Sequence, residues 1–150
     1  MTVLIILVIV LLAATAVGFL MRHREGRVRA AAGSGPQFPD ARATLLAAVG
    51  VVADQPAVVH FSADWCGPCA AVRKVVAGVV ADLSDTPQPP LDIEVDIDAD
   101  PVLSRELNVL SLPTTFVFDA RGRERFRISG VPKATDLRSA LSPLTVPNAA

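Results

Sequence analysis

Hydrophobic residues follow three rhythms along this chain. From Val3 to Met21 they are continuous apart from Thr15 and Gly18, with no ionisable side chain. As a helix of about 19 residues this stretch would be roughly 28 Å long, close to the thickness of a hydrocarbon core, which predicts a membrane anchor over residues 1–21. The second rhythm is helical. It runs through Ala41 to Val49, through Val72, Val75, Val76, Val79, Val80 and Leu83 at spacings of three and four, and through Pro101 to Leu107 and Pro132 to Leu141. The third belongs to strands. Ala57 to Ser62 is a short β-branched run, Leu91 to Ile97 alternates strictly, and Thr114 to Phe118 and Glu124 to Ser129 flank the turn Asp119-Ala120-Arg121-Gly122-Arg123.

The order helix, strand, helix, strand, helix, hairpin, helix predicts a mixed α/β sheet with a parallel βαβ half, an antiparallel half and helices on both faces. It occupies residues 40–141. Residues 22–39 read as a basic juxtamembrane segment and linker, rich in Ala, Gly, Ser and Pro from Gly26 onward, and residues 142–150 as a disordered tail. A cleaved leader is the rival for the first segment, because Ala30-Ala31-Ala32 offers a small-residue site. Against it, no basic residue precedes Val3, the apolar run is long, and Arg22, His23, Arg24, Arg27 and Arg29 follow the run. Those arginines bias the domain toward the cytoplasmic side of a single-pass membrane protein and suit contact with anionic lipid. A formal net charge of −1 gives no reason to expect nucleic acid.

The only two cysteines, Cys66 and Cys69, stand where an apolar strand gives way to a helical run. A helix beginning near Cys66 would set its sulfur at the positive end of the helix dipole, favouring thiolate. Cys69, one turn on, faces the same side and can close a disulfide with it. Pro68 tolerates a first helical turn, and Gly67 leaves the sulfur open. Zinc would need two more ligands, and neither His23 nor His60 has metal-like spacing to the pair. A purely structural bridge across so short a loop would constrain little of the unfolded chain. Asp96, Asp98 and Asp100 fail as a calcium loop, because Pro101 and Leu107 stand where glycine and glutamate are required. Asp100 reads instead as a helix N-cap before Pro101. No metal or cofactor is expected.

Trp65-Cys66-Gly67-Pro68-Cys69, with the strand before it and Leu112-Pro113-Thr114 downstream, resembles the active-site signature of the thioredoxins. The resemblance spans about Asp40 to Leu141 and implies a thioredoxin-like fold. It also implies thiol–disulfide exchange on protein disulfides, with Cys66 as nucleophile and Cys69 resolving. It makes Pro113 cis and places Trp65, Gly67, Pro68, Leu112, Pro113, Gly130 and Val131 around the substrate. An electron donor, unidentified, is implied as a partner, beside a lipid bilayer engaged by residues 3–21. A binding module for a membrane partner and an extracytoplasmic oxidase or isomerase are the other readings. The chain departs from the family where thioredoxins carry a buried aspartate and a lysine on the neighbouring strand, for here stand His60 and Glu94. His60 is then expected to accept the proton of Cys69, with Glu94 orienting the ring.

Overall fold

The computed structural model describes residues 1–24, 26–30 and 40–147. Part of the sequence-predicted linker, 31–39, with Ala31 and Ala32 of the small-residue site, lies outside them, as do the last three residues of the tail. Helix α1 spans Thr2–Arg24. Its described side chains, residues 5–20, are all exposed and cover about 24 Å. Among the described residues no helix is long and apolar enough to cross a membrane.

Five strands follow: β1 (Arg29–Ala30), β2 (Ala57–Ser62), β3 (Leu91–Asp96), β4 (Thr114–Phe118) and β5 (Glu124–Ser129), in the sheet order β1-β5-β4-β2-β3. Strands β2 and β3 are parallel, and β2, β4, β5 and β1 pair antiparallel in succession. Helices α2 (Asp40–Ala48) and α4 (Pro101–Glu106) belong to one face, α3 (Cys69–Asp82) and α5 (Ala134–Leu141) to the other.

Alternation along β2 builds the two cores. Ala57, Val59 and Phe61 join Phe116, Phe118, Leu46, Leu103 and Leu107 on one side. Val58 joins Val72, Val76, Val79, Val117, Ile128 and Leu137 on the other. Because β2 is central and covered on both faces, all six of its residues are buried, unlike the half-exposed β3. The hairpin β4–β5 turns at Gly122, whose φ of +71° only glycine adopts without strain.

Two segments are more ordered than their composition predicts. Within the juxtamembrane segment, Arg29 and Ala30 pair with Arg127 and Phe126, and Val28 packs on the α3-side core. In the tail, Ser142–Leu144 form a 3-10 turn, Leu144 packs on the same core, and buried Thr145 accepts the Gln88 N–H at 2.9 Å through its carbonyl. Both corrections have one cause. A few residues anchored by one apolar side chain and one or two backbone hydrogen bonds leave no periodicity to read. Asp100 does occupy the N-cap position of α4 but makes no side-chain capping bond.

Candidate active site

Strand β2 delivers the chain to the two cysteines. The Cys66 N–H donates to the Ala63 carbonyl at 3.0 Å and the Cys69 N–H to the Cys66 carbonyl at 3.2 Å, so the first i to i+4 helical bond is Val72 to Pro68 at 3.4 Å. Helix α3 therefore begins at Cys69, with Pro68 as its N-cap, and not near Cys66 as the sequence predicts. Cys66 sits in the turn just ahead of the positive end of α3. The pair is joined as a disulfide with Cα atoms 5.5 Å apart. Exposure separates the sulfurs' residues: Cys66 is 9% accessible, Cys69 only 1%. At Gly67 a Cβ would meet nothing within 4 Å, which leaves the approach to Cys66 open.

Ala63 joins the pair in a buried cluster against which Ile97 and Leu112 pack. The Leu112–Pro113 peptide is cis, and the Pro113 carbonyl accepts the Gly130 N–H at 2.8 Å. The loop Ser111–Pro113 and the turn Gly130–Val131 are thus stitched side by side. Trp65, 71% exposed, donates its indole N–H to Asp98 Oδ2 at 3.0 Å.

Beneath α3 the polar residues of β2 and β3 meet, but not in the pairs expected. The ring of His60, buried at 2% accessibility, places Nε2 3.0 Å from Asp92 Oδ1. Glu94 does not orient that ring, although His60 and Glu94 are level in the parallel register. Its carboxylate accepts from Ser62 Oγ at 2.5 Å and from Arg73 Nε of α3 at 2.7 Å. The Arg73 guanidinium supplies a charge-assisted bond to the longer acid, which reaches up to α3, and the shorter Asp92 meets His60. Burial pushes the Glu94 carboxyl up, but the Ser62 and Arg73 hydrogen bonds and the Arg73 charge prevail and hold it below its ordinary value. The Cys69 Sγ lies 3.9 Å from the Phe61 carbonyl, within reach of a thiol S–H once the pair is reduced. Thr115, directly across from His60 on β4, is fully buried, and among the described residues its hydroxyl has no hydrogen-bond partner.

Sequence reasoning missed Asp92, Asp98 and Arg73 as partners. The alternation of β3 was the available signal, since it sets Asp92, Glu94 and Asp96 on one face. Choosing among them required the position of Arg73 on α3.

A disulfide-forming pair at the start of a helix over a mixed sheet, with the residue before a cis proline packed against the cysteine cluster, defines the class of thioredoxin-fold redox proteins. The chain belongs to the thioredoxin family, whose model matches residues 46–143. It is 39% identical over 64 residues to a thioredoxin of Mycolicibacterium smegmatis, covering 43% of this chain and 56% of that one. Against thioredoxin H2 of Arabidopsis thaliana it is 37% identical over 76 residues, 51% of this chain and 53% of the relative. The chain thus spans about half the length of these curated relatives. Among solved structures, a thioredoxin-2 described as a component of the malaria parasite protein secretion machinery superposes with a TM-score of 0.53 at 21% identity, over 59% of this chain and 82% of the other. That likeness concerns the fold.

Proposed function

We propose that the protein is a thiol–disulfide oxidoreductase that reduces protein disulfides through Cys66 and Cys69 and is tethered to a membrane by α1. The observation that carries the chemistry is the asymmetry of the bonded pair, Cys66 keeping a sliver of accessibility at 9% and Cys69 sealed at 1%. In the reduced protein the Cys66 thiolate, favoured by the adjoining helix terminus, attacks one sulfur of a substrate disulfide and releases the other as a thiolate. Cys69 loses its proton and attacks the Cys66 sulfur, releasing the second substrate thiol. The enzyme is left with the Cys66–Cys69 bond seen here, and a dithiol donor must reduce it for another cycle. Trp65, Gly67, Pro68, Leu112, Pro113, Gly130 and Val131 rim the approach. His60 is the acceptor of the Cys69 proton, positioned by Asp92.

The tether rests on the continuous apolar surface of α1, exposed along all its described side chains, residues 5–20. Counting Val3, Leu4 and Met21, its apolar run approaches the length of a span. The arginines after it favour a cytoplasmic domain, where cellular thiols such as glutathione keep such a pair reduced. Turnover of insulin disulfides with a dithiol donor tests the chemistry: Cys66→Ser is expected to abolish it, and undiminished turnover overturns the reading.

A further inference from the structure

The link between α1 and the domain is short and fastened at the mouth of the dithiol. Only residue 25 separates the end of α1 at Arg24 from Gly26. The Gly26 N–H donates to the Ser129 carbonyl at 2.7 Å. Its φ is +75°, and a Cβ there would stand 2.2 Å from the Val131 carbonyl oxygen, so the backbone passes hard against the Gly130–Val131 turn. Val28 then enters the core beside Phe126, and Arg29 and Ala30 extend the sheet at β5. From Gly26 the contacts run without a gap. Ser129 and Val131 flank Gly130, Gly130 bonds to Pro113, and Leu112 packs against the cluster of Ala63, Cys66 and Cys69.

From this geometry we propose that residues 26–30 are a strap that holds the dithiol mouth against lipid headgroups. The substrates of the protein are then disulfides of membrane proteins lying at the bilayer surface. The inference rests on the tether reading above and adds an orientation to it. If the hydrocarbon ends near Met21, three more helical residues advance only about 5 Å to Arg24, and two extended residues reach at most roughly 7 Å further. Gly26 is therefore confined to the headgroup layer, and the turn it abuts belongs to the substrate rim. What faces the lipid agrees: Trp65, Leu110 and Val131 are exposed apolar side chains near the mouth, and Arg27 and Arg29 are exposed on the strap. Indole rings and basic side chains are favoured at that depth.

Trp65 is the only tryptophan, so its fluorescence reports the mouth alone. The full-length protein is reconstituted in phosphatidylcholine vesicles with and without a headgroup-attached nitroxide, and flotation establishes that it has inserted. The wild type is expected to lose most of its Trp65 emission to the nitroxide. A Gly/Ser insertion of about ten residues between Glu25 and Gly26, adding roughly 17 Å of flexible reach, is expected to recover half or more of it. Gly26→Val, which unseats the strap, shifts the emission in the same direction. Floating protein whose emission is unquenched, or quenched equally in wild type and insertion variant, overturns the orientation. Protein that does not float overturns the tether and the orientation together. Insulin reduction by the same samples in detergent reports on the dithiol chemistry independently of both.

Discussion

Two buried polar sites lie at different places in the sheet, and they are satisfied to different degrees. At the hairpin end, Asp119 is 6% exposed and accepts from the Arg121 and Arg123 N–H groups at 3.0 Å each, from Arg123 Nε at 2.9 Å and from Arg125 Nη1 at 3.2 Å. On the middle of β2, His60 holds one carboxylate, and among the described residues the Thr115 hydroxyl opposite it is left without a partner. A buried charge saturated with donors fixes one conformation of a turn. A buried polar group left partly unsatisfied lowers stability, and is retained where it has chemistry to perform. The hairpin end is saturated with donors, whereas the His60 site leaves room for the proton transfer proposed above.

His60→Leu sharpens this contrast most. It is expected to slow resolution of the mixed disulfide by about 10²-fold, the lower range for a lost general base, while stability stays within about 1 kcal/mol. Rapid-mixing kinetics that separate attack from resolution decide it, and an unchanged resolution rate makes His60 structural. Next in size, Asp119→Ala strands two turn N–H groups and is expected to cost about 2 kcal/mol in urea denaturation, leaving insulin turnover unaltered. Its pH dependence has a defined sign. Burial pushes the Asp119 carboxyl up, but the Arg123 and Arg121 N–H groups and the arginine side chains more than offset this, and the folded value lies below the ordinary 3.8. The contribution of Asp119 is therefore complete above that unfolded value and fades as pH falls through the lower folded one, a dependence that the alanine variant should lack.

Thr115→Val removes the unpartnered hydroxyl and is expected to stabilise by about 1 kcal/mol; a loss of similar size would show that the hydroxyl is satisfied, and break the contrast. The smallest effect is that of Arg73→Ala, about 0.5 kcal/mol, because the Arg73–Glu94 pair is more than a third exposed and screened by solvent. Its clearer readout is the Glu94 carboxyl resonance, whose titration midpoint should rise when the guanidinium is gone.

Elements whose signals are local were legible in the sequence. The Cys66–Cys69 spacing, the glycine of the β4–β5 turn and the alternation of β3 each depend on neighbours a few residues apart. Contests between distant groups were not. Glu94 had two suitors, His60 on β2 and Arg73 on α3, and only their relative reach and charge decided between them. The strap was illegible for another reason. A two-residue strand has no period, and its partner β5 lies almost a hundred residues downstream.

The sheet order also bears on self-association. Among the described residues the sheet ends on the two-residue β1 at one side and on the six-residue β3 at the other, and an uncapped strand edge is a template for pairing with another molecule. Asp92, Glu94 and Asp96 share one face of β3, so two copies meeting edge to edge there would bring their carboxylates together. The acids along β3 thereby also guard the border of the sheet, and that guard weakens in acid, where carboxylates are protonated.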